Sequence, residues 1–297
     1  MNISGQKPFP TYVVGRPFTV DGKSRTTKSK ASGKANFDDY NSWKIDLFPS
    51  VSENSTSFNH EVGLYWLEQA EAEHASVASF ARHTLQLMSI GAPSELLIAS
   101  QAASIDEIKH AKMCYGFAST FMNTDIAPQS LDVDGSLGEL DLKNVIQSVI
   151  REGCIEETLS AIEAHFRAHY STDFEVKNVL KEIAADETRH AQLAWDTISW
   201  ITKKYPEHQN FVKETFLNAF EQKKHILKDE ENSQPSNDCF DSRKDVYLQG
   251  YGILIHQDQE KVRHTGIQNI IKPVFNAGFD KFSSISDKIT NFDIALI

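Results

Sequence analysis

Apolar and small residues recur three and four positions apart through most of the middle of the chain, the period of a helix with one buried face. From Asn59 to Ser89 that face reads Val62, Trp66, Ala70, Glu73, Val77, Phe80, Thr84 and Leu87, with no proline before Gly91-Ala92-Pro93. Ser94 is placed to cap a second helix reaching about Met122, with Leu96, Ser100, Ala103, Glu107, His110, Cys114, Phe117 and Phe121 on one side. Residues 123–140 lose the period and carry turn signals, so they read as a longer connection. A third helix is predicted from about Asp141 to Tyr170, facing inward with Ile146, Ile150, Gly153, Glu157, Ala161 and Ala164. Thr172 followed by Glu175 has the spacing of a capping box and opens a fourth helix to about Thr202. Its inner face reads Val176, Leu180, Ile183, Glu187, His190, Ala194 and Ile198. Pro206 opens a fifth helix to about Asp229, residues 230–245 read as a polar linker, and a last helix covers about 257–280.

Each central helix is about 30 residues, hence about 45 Å long. The first two are joined tightly, as are the third and fourth, and the long connection separates the pairs. That is the connectivity of an all-α four-helix bundle with one long crossover. Three parts follow: a largely irregular N-terminal arm over 1–58, the bundle over 59–202, and a C-terminal helical extension over 203–297 whose Phe211, Phe216 and Phe220 form a face that packs on the bundle.

Composition narrows the function classes. The chain has 297 residues and a formal charge of −11, which argues against nucleic-acid binding. No apolar run approaches a membrane span and the N-terminus lacks a signal-type apolar stretch, so a soluble, cytoplasmic protein is expected. Cys114, Cys154 and Cys239 are scattered and form no C-x-x-C, which leaves a disulfide framework or a thiolate metal site unsupported. The arm is different: residues 1–35 hold Lys7, Arg16, Lys23, Arg25, Lys28, Lys30 and Lys34 against Asp21 alone, and its prolines exclude a long helix. It reads as a wrapping segment or as a basic contact surface.

The chemistry sits on the four apolar faces. Each carries a glutamate near its middle, and two of these are followed by a histidine three residues on: Glu107 with His110, and Glu187 with His190. Converging buried carboxylates repel one another and are costly unless paired or metal-bound. Two divalent cations would balance four of them, and Glu-x-x-His places both side chains on one helix face. The segments Asp106-Glu-Ile-Lys-His-Ala111 and Asp186-Glu-Thr-Arg-His-Ala191 form an internal repeat, each preceded by an inward glutamate about 30 residues upstream. The candidate metal ligands are therefore Glu73, Glu107, His110, Glu157, Glu187 and His190. Glu73 is preferred to Glu71, which shares a face with Glu68, and His74 is rotated toward a packing position. On the third helix Glu152, Glu156 and Glu157 all lie at workable spacing; Glu157 shares the apolar face, and Glu152 stands as an extra or switching ligand.

This pattern resembles the ferritin-like non-haem di-iron carboxylate proteins: a glutamate, then after about thirty residues Asp-Glu-x-Arg-His, occurring twice. DETRH matches fully and DEIKH has Lys109 in place of arginine; the resemblance covers about residues 60–202, through EHASVASFARHTLQL, DEIKHA, EGCIEETLSA and IAADETRHAQLAW. It implies a ferritin-like bundle holding two iron ions, with manganese as the other candidate. It also implies that the aspartate of each box hydrogen-bonds the histidine of the other, Asp186 to His110 and Asp106 to His190.

The resemblance further implies an enzyme that activates O₂ to hydroxylate, desaturate or N-oxygenate a small organic substrate. Two boxes speak against iron storage. Cys114 stands where radical-generating relatives carry tyrosine, so a stored tyrosyl radical is not expected. The alternatives are a peroxidase, ferroxidase or dimanganese catalase with no organic substrate, and a metal-braced helical module with no catalysis. Electrons would come from a separate donor protein or from the substrate, and a homodimer is compatible with the chain. Gly153, Ala161, Ala164 and Ala103 lie near the metal level, either to leave room for substrate or to let helices pack closely.

Overall fold

Four long helices dominate the computed structural model, which describes residues 15–31, 42–43, 45–51, 56–232, 242–278 and 284–292. Helix α1 covers Thr56–Ser89 and α2 covers Ser94–Met122. Gly91 between them has φ +64°, which only glycine adopts freely, and the Ala92 amide closes the turn on the Leu87 carbonyl at 3.0 Å. Ser94 is the first residue of α2 and not its cap; extended Pro93 precedes it and no side chain caps the helix. Asn123 ends α2 at φ +49°, a left-handed C-cap.

Helix α3 is a single run over 142–170 with two kinds of turn. It is α-helical over Leu142–Ser148 and Thr158–Tyr170, and π-helical over the nine residues Val149–Glu157 between them. Asp141 caps it, accepting from the Lys143 and Asn144 amides at 2.9 and 3.1 Å. Helix α4 covers Phe174–Lys204. Its cap is Asp173, which accepts from the Val176 amide at 2.9 Å and from the Ser50 amide at 2.8 Å. The expected capping box at Thr172 is one residue too early, and the Thr172 amide instead reaches the Gly250 carbonyl at 3.0 Å.

Contacts run between α1 and α2, between α3 and α4, and between α2 and α4, which closes the all-α bundle. The crossover carries a strand, β4, over Ile126–Pro128. That strand pairs antiparallel with β3 (Ser29–Ala31) of the arm, Lys30 opposite Ala127. Strands β1 (Thr19–Val20) and β2 (Lys23–Ser24) form a hairpin whose two turn residues, Asp21 and Gly22, both have positive φ. An Asp-Gly pair is the preferred filling of such a turn. The arm, expected to be largely irregular, is thus ordered where described and fastened to the bundle, with Phe18 and Val20 buried against Ala75.

After a 3₁₀ turn at Pro206–His208, α5 covers Gln209–Asn232. Phe216 is buried and stacks on Trp195 of α4 at 5.3 Å between ring centroids. Helix α6 (Ser242–Gly250) begins within the last residues of the stretch expected to be a linker, whose residues 233–241 lie outside the described ones. Helix α7 begins as His256–Gly266 and continues through a π turn, Ile267–Ile271, into Lys272–Ala277; a short α8 covers Ile285–Thr290. Arg263 of α7 is buried and ion-paired with Glu163 (2.5 Å) and Glu156 of α3, while Lys223 of α5 reaches Glu156 at 2.5 Å. Among the described residues no helix is long and apolar enough to cross a membrane.

Gly153, in the π segment, shows how tightly α3 and α4 approach. A Cβ built there lies 2.6 Å from the Ala194 Cβ. Gly153→Ala is expected to lower stability by about 1–3 kcal/mol, the range for an overpacked core methyl. Urea unfolding followed by far-UV circular dichroism measures it; an unchanged midpoint would show that the two helices have slack.

Candidate metal centre

One level of the bundle collects acids and imidazoles from all four helices. α1 supplies Glu73, α2 supplies Glu107 and His110, α3 supplies Glu157, and α4 supplies Glu187 and His190. Each is at most 2% exposed. They fall into two overlapping groups, Glu73–Glu107–His110–Glu187 and Glu157–Glu187–His190. Within each group, one oxygen or nitrogen per residue lies within 4.8 Å of all the others. The structure therefore brings all six sequence-predicted ligands together, with Glu187 common to both groups.

The shared carboxylates stand between the histidines. His110 Nδ1 lies 3.8 Å from Glu107 Oε2, 3.6 Å from Glu187 Oε1 and 3.8 Å from Glu73 Oε2. His190 Nδ1 lies 3.1 Å from Glu107 Oε1, 3.8 Å from Glu187 Oε1 and 3.9 Å from Glu157 Oε2. Glu107 thus offers one oxygen to each side. The Glu-x-x-His spacing works because residues three apart sit one above the other on a helix, and both boxes lie in regular α-helix.

The far nitrogens are anchored. His110 Nε2 donates to Asp186 Oδ2 at 3.0 Å and His190 Nε2 donates to Asp106 Oδ2 at 3.2 Å, each aspartate reaching across to the other box. Arg189 clips the two aspartates together, its Nη2 lying 3.1 Å from Asp106 and 2.6 Å from Asp186. Lys109, its counterpart in the first box, pairs instead with Glu182. The planar fork of arginine spans two carboxylates; a lysine ammonium makes a point contact. With Nε2 committed to donation, Nδ1 is the ring nitrogen aimed at the acids and the one free to ligate once it has lost its proton.

Inside the cluster the donors run out. Both oxygens of Glu107, Glu157 and Glu187, Glu73 Oε2, His110 Nδ1 and His190 Nδ1 are buried and have no hydrogen-bond partner. Burial pushes Glu73 up to about 8, helped by the neighbouring Glu107 charge, and pushes Glu157 up to about 7. Glu187 is also raised, first by burial and then by Glu157 and Glu107. Burial acts the same way on Glu107, but the neighbouring His110 and His190 outweigh it and hold this carboxyl below the ordinary range. Burial opposes a charge on His190, yet Asp106 and Glu107 carry it up to about 9. Unpartnered buried oxygens and bare imidazole nitrogens at this spacing suit two divalent cations, whose charge cancels four carboxylates. The groups that could hold a metal ion offer carboxylate oxygens and imidazole nitrogens and no thiolate.

The other acids of α3 go elsewhere. Glu152, expected as an extra or switching ligand, is not brought into the cluster. Both its oxygens lie 2.9 Å from Arg82 Nη2, and Thr19 and Ser148 donate to it at 2.5 and 2.9 Å. Glu156 is tied to Arg263 and Lys223. His74 packs edge-on against Trp43 at 5.0 Å, away from the group. Gly153 packs on Ala194, and Ala103, Ala161 and Ala164 are buried in the apolar cores, so these small residues serve helix packing.

Sequence reasoning missed the arm. Gly15, at φ +87°, runs against the cluster: a Cβ there would lie 3.3 Å from Glu73 Oε2 and 3.8 Å from Glu107 Oε2. Its amide donates to Ser160 Oγ of α3. Ser76 and Ser79 of α1 donate to the Arg16 and Pro17 carbonyls at 2.9 and 3.3 Å. The signal was the pair of serines three apart beside Glu73, which face an extended strand and not another helix.

No protein-family model matches the chain, and neither a curated protein nor a solved structure matches it.

Two expectations follow. Without metal, Glu73, Glu157 and His190 hold protons in the folded chain that the unfolded chain releases at lower pH, around 4.5 for the acids and 6.5 for the histidine. Metal-free protein should therefore lose stability as pH rises from about 5 to about 9, and metal uptake should release protons and tighten over the same range. Chemical denaturation at a series of pH values reads the first, and a flat profile would contradict it. Asp186→Asn should weaken metal binding about 10- to 100-fold while leaving the fold intact, because Nε2 of His110 loses its anionic acceptor; competition with a metal-sensitive dye measures this.

Proposed function

We propose that the chain is a ferritin-like non-haem di-iron enzyme that uses O₂ to oxidise a small organic molecule. The observation that carries this reading is the pair of bare, buried histidine nitrogens facing each other across Glu107 and Glu187, each ring fixed from behind by the other box's aspartate. Structural metal sites are usually closed zinc tetrahedra rich in cysteine, and this one has no thiolate among its groups. Glu73 and His110 would hold one iron, Glu157 and His190 the other, with Glu107 and Glu187 between them.

Bound iron would supply the redox electrons and Lewis acidity that O₂ reduction needs. The protein's own part is to hold four carboxylates at fixed spacing and keep both imidazoles in one tautomer. The buried walls, including the arm backbone at Gly15, keep bulk water from the acids. Electrons in this reading come from a separate donor protein or from the substrate. Two buried free thiols, Cys114 and Cys154, suit the reducing cytoplasm we assign to it.

A second reading has its own support. The small residues near the metal level are consumed by helix packing, which favours a peroxidase, ferroxidase or dimanganese catalase that needs no organic pocket.

Anaerobic reconstitution with Fe(II), metal analysis and Mössbauer spectroscopy after O₂ exposure test the proposal. Close to two iron ions per chain and an exchange-coupled ferric pair are expected, both lost in Glu107→Ala and His190→Ala. Iron uptake that survives those changes would sink the assigned site. Rapid turnover of H₂O₂ by the manganese-loaded chain would favour the second reading.

A further inference from the structure

Arg16 arrives at the centre on the arm and finds no hydrogen-bond partner for its guanidinium. The residue is 1% exposed, and Nε, Nη1 and Nη2 all lack a hydrogen bond. Its backbone is nonetheless held in place. The carbonyls of Arg16 and Pro17 are held by Ser76 and Ser79, and the Gly15 amide is held by Ser160. The guanidinium carbon lies 5.3 Å from the centroid of Phe80, and the same ring meets His190 edge-on at 5.0 Å. One phenyl ring therefore separates Arg16 from a proposed iron ligand. Nη1 comes within 3.4 Å of where a Cβ on Gly153 would sit, so the fork lies against the π segment of α3.

The nearest acid is already taken. Glu152 Oε2 is 3.7 Å from Arg16 Nε, beyond hydrogen-bond reach, while Arg82, Thr19 and Ser148 fill that carboxylate. Two buried arginines thus share one glutamate. Inside the cluster, two divalent cations and four glutamates cancel. The guanidinium fork beside the site still has every nitrogen without a hydrogen bond. His83 is buried beside it and kept neutral, first by burial and then by the Arg16 charge; neither of its ring nitrogens meets a partner at bonding geometry, although Gln86 is near enough to influence it.

Resting on the dinuclear reading, we propose that Arg16 is the recognition residue for a carboxylate-bearing small molecule bound beside the metal centre. A guanidinium fork matches the two oxygens of a carboxylate, and a buried arginine left without an anion is the costlier state. This gives the substrate of the proposed oxidase a chemical class: a small organic acid whose carboxylate is held at Arg16.

The test uses the full chain loaded anaerobically with Mn(II), in buffer free of carboxylate and phosphate, titrated calorimetrically with sodium acetate and, separately, with acetamide. Wild type is expected to bind acetate and reject acetamide. Arg16→Gln should weaken acetate binding at least tenfold with two metals per chain retained, and Arg16→Lys should fall between. Equal acetate affinity in Arg16→Gln would place the anion on the metals alone and overturn the proposal, as would wild type that fails to tell acetate from acetamide. Should Arg16→Gln not fold, Arg16→Lys and the wild-type comparison of acetate with acetamide decide in the same way. Metal analysis runs in parallel, because a chain that takes up no metal defeats the dinuclear reading by itself. In that event an acetate preference lost in Arg16→Gln of the metal-free protein sustains the anion site, and its absence removes it.

Discussion

Four glutamates buried at one level of a helical bundle, with fewer donors than acceptors, are the constraint around which the rest of the molecule is arranged. A buried carboxylate without a partner is unstable, and four together add mutual repulsion. The free protein relieves this by holding protons, which is why Glu73, Glu157 and Glu187 are all pushed upward. The fold contributes its share by placing two imidazoles among the acids and fixing both from behind. Every element that touches the level, including the arm, either supplies one of these groups or walls them from solvent.

The surrounding charges are organised in local sets. Arg189 joins Asp106 to Asp186, so the two boxes are coupled outside the cluster as well as within it. Arg263 and Lys223 neutralise Glu156 and Glu163, fastening α5 and α7 to α3. Arg82 holds Glu152, and the same arginine donates to the Thr19 carbonyl, so this pair ties the arm to both α1 and α3. Arg16 is where the hydrogen bonding is left incomplete. The basic arm thus spends Arg16 inside the molecule and Arg25 on Asp132 at the crossover, leaving lysines such as Lys23, Lys28 and Lys30 to the surface.

Helix periodicity made the bundle legible, because long faces with a strict repeat have few other ways to be buried. The two boxes were legible for a local reason: residues three apart meet on any regular helix, whatever packs around it. Glu157 was preferred over Glu152 and Glu156 on its apolar face, and the structure groups it with Glu187 and His190. The π segment itself left no mark in the spacing, since a wide turn costs only one hydrogen-bond register and demands no special residue. Caps were misread by one position at Thr172 because Asp173 beside it offers a better acceptor. The arm's course could not be read, because it depends on contacts between residues more than a hundred positions apart, such as Gly15 with Ser160 and Lys30 with Ala127. The Asp21-Gly22 turn was visible as a dipeptide, but its short strands carry no alternation to announce a hairpin.

The π segment has a consequence for how this chain can vary in length. Successive residues of an α-helix are turned by about 100°. A wide turn stores surplus backbone within an otherwise continuous helix, so the loss of one residue between Val149 and Glu157 could be absorbed by closing that turn to α geometry. The helix on either side would keep its register, while residues inside the closed segment would change face, carrying Glu152 away from Arg82 and loosening the arm as the acid facing His190 stayed in place. Insertions and deletions are usually confined to loops; in this protein the middle of a buried helix is a position where a change of length would leave the cluster standing and release its cover.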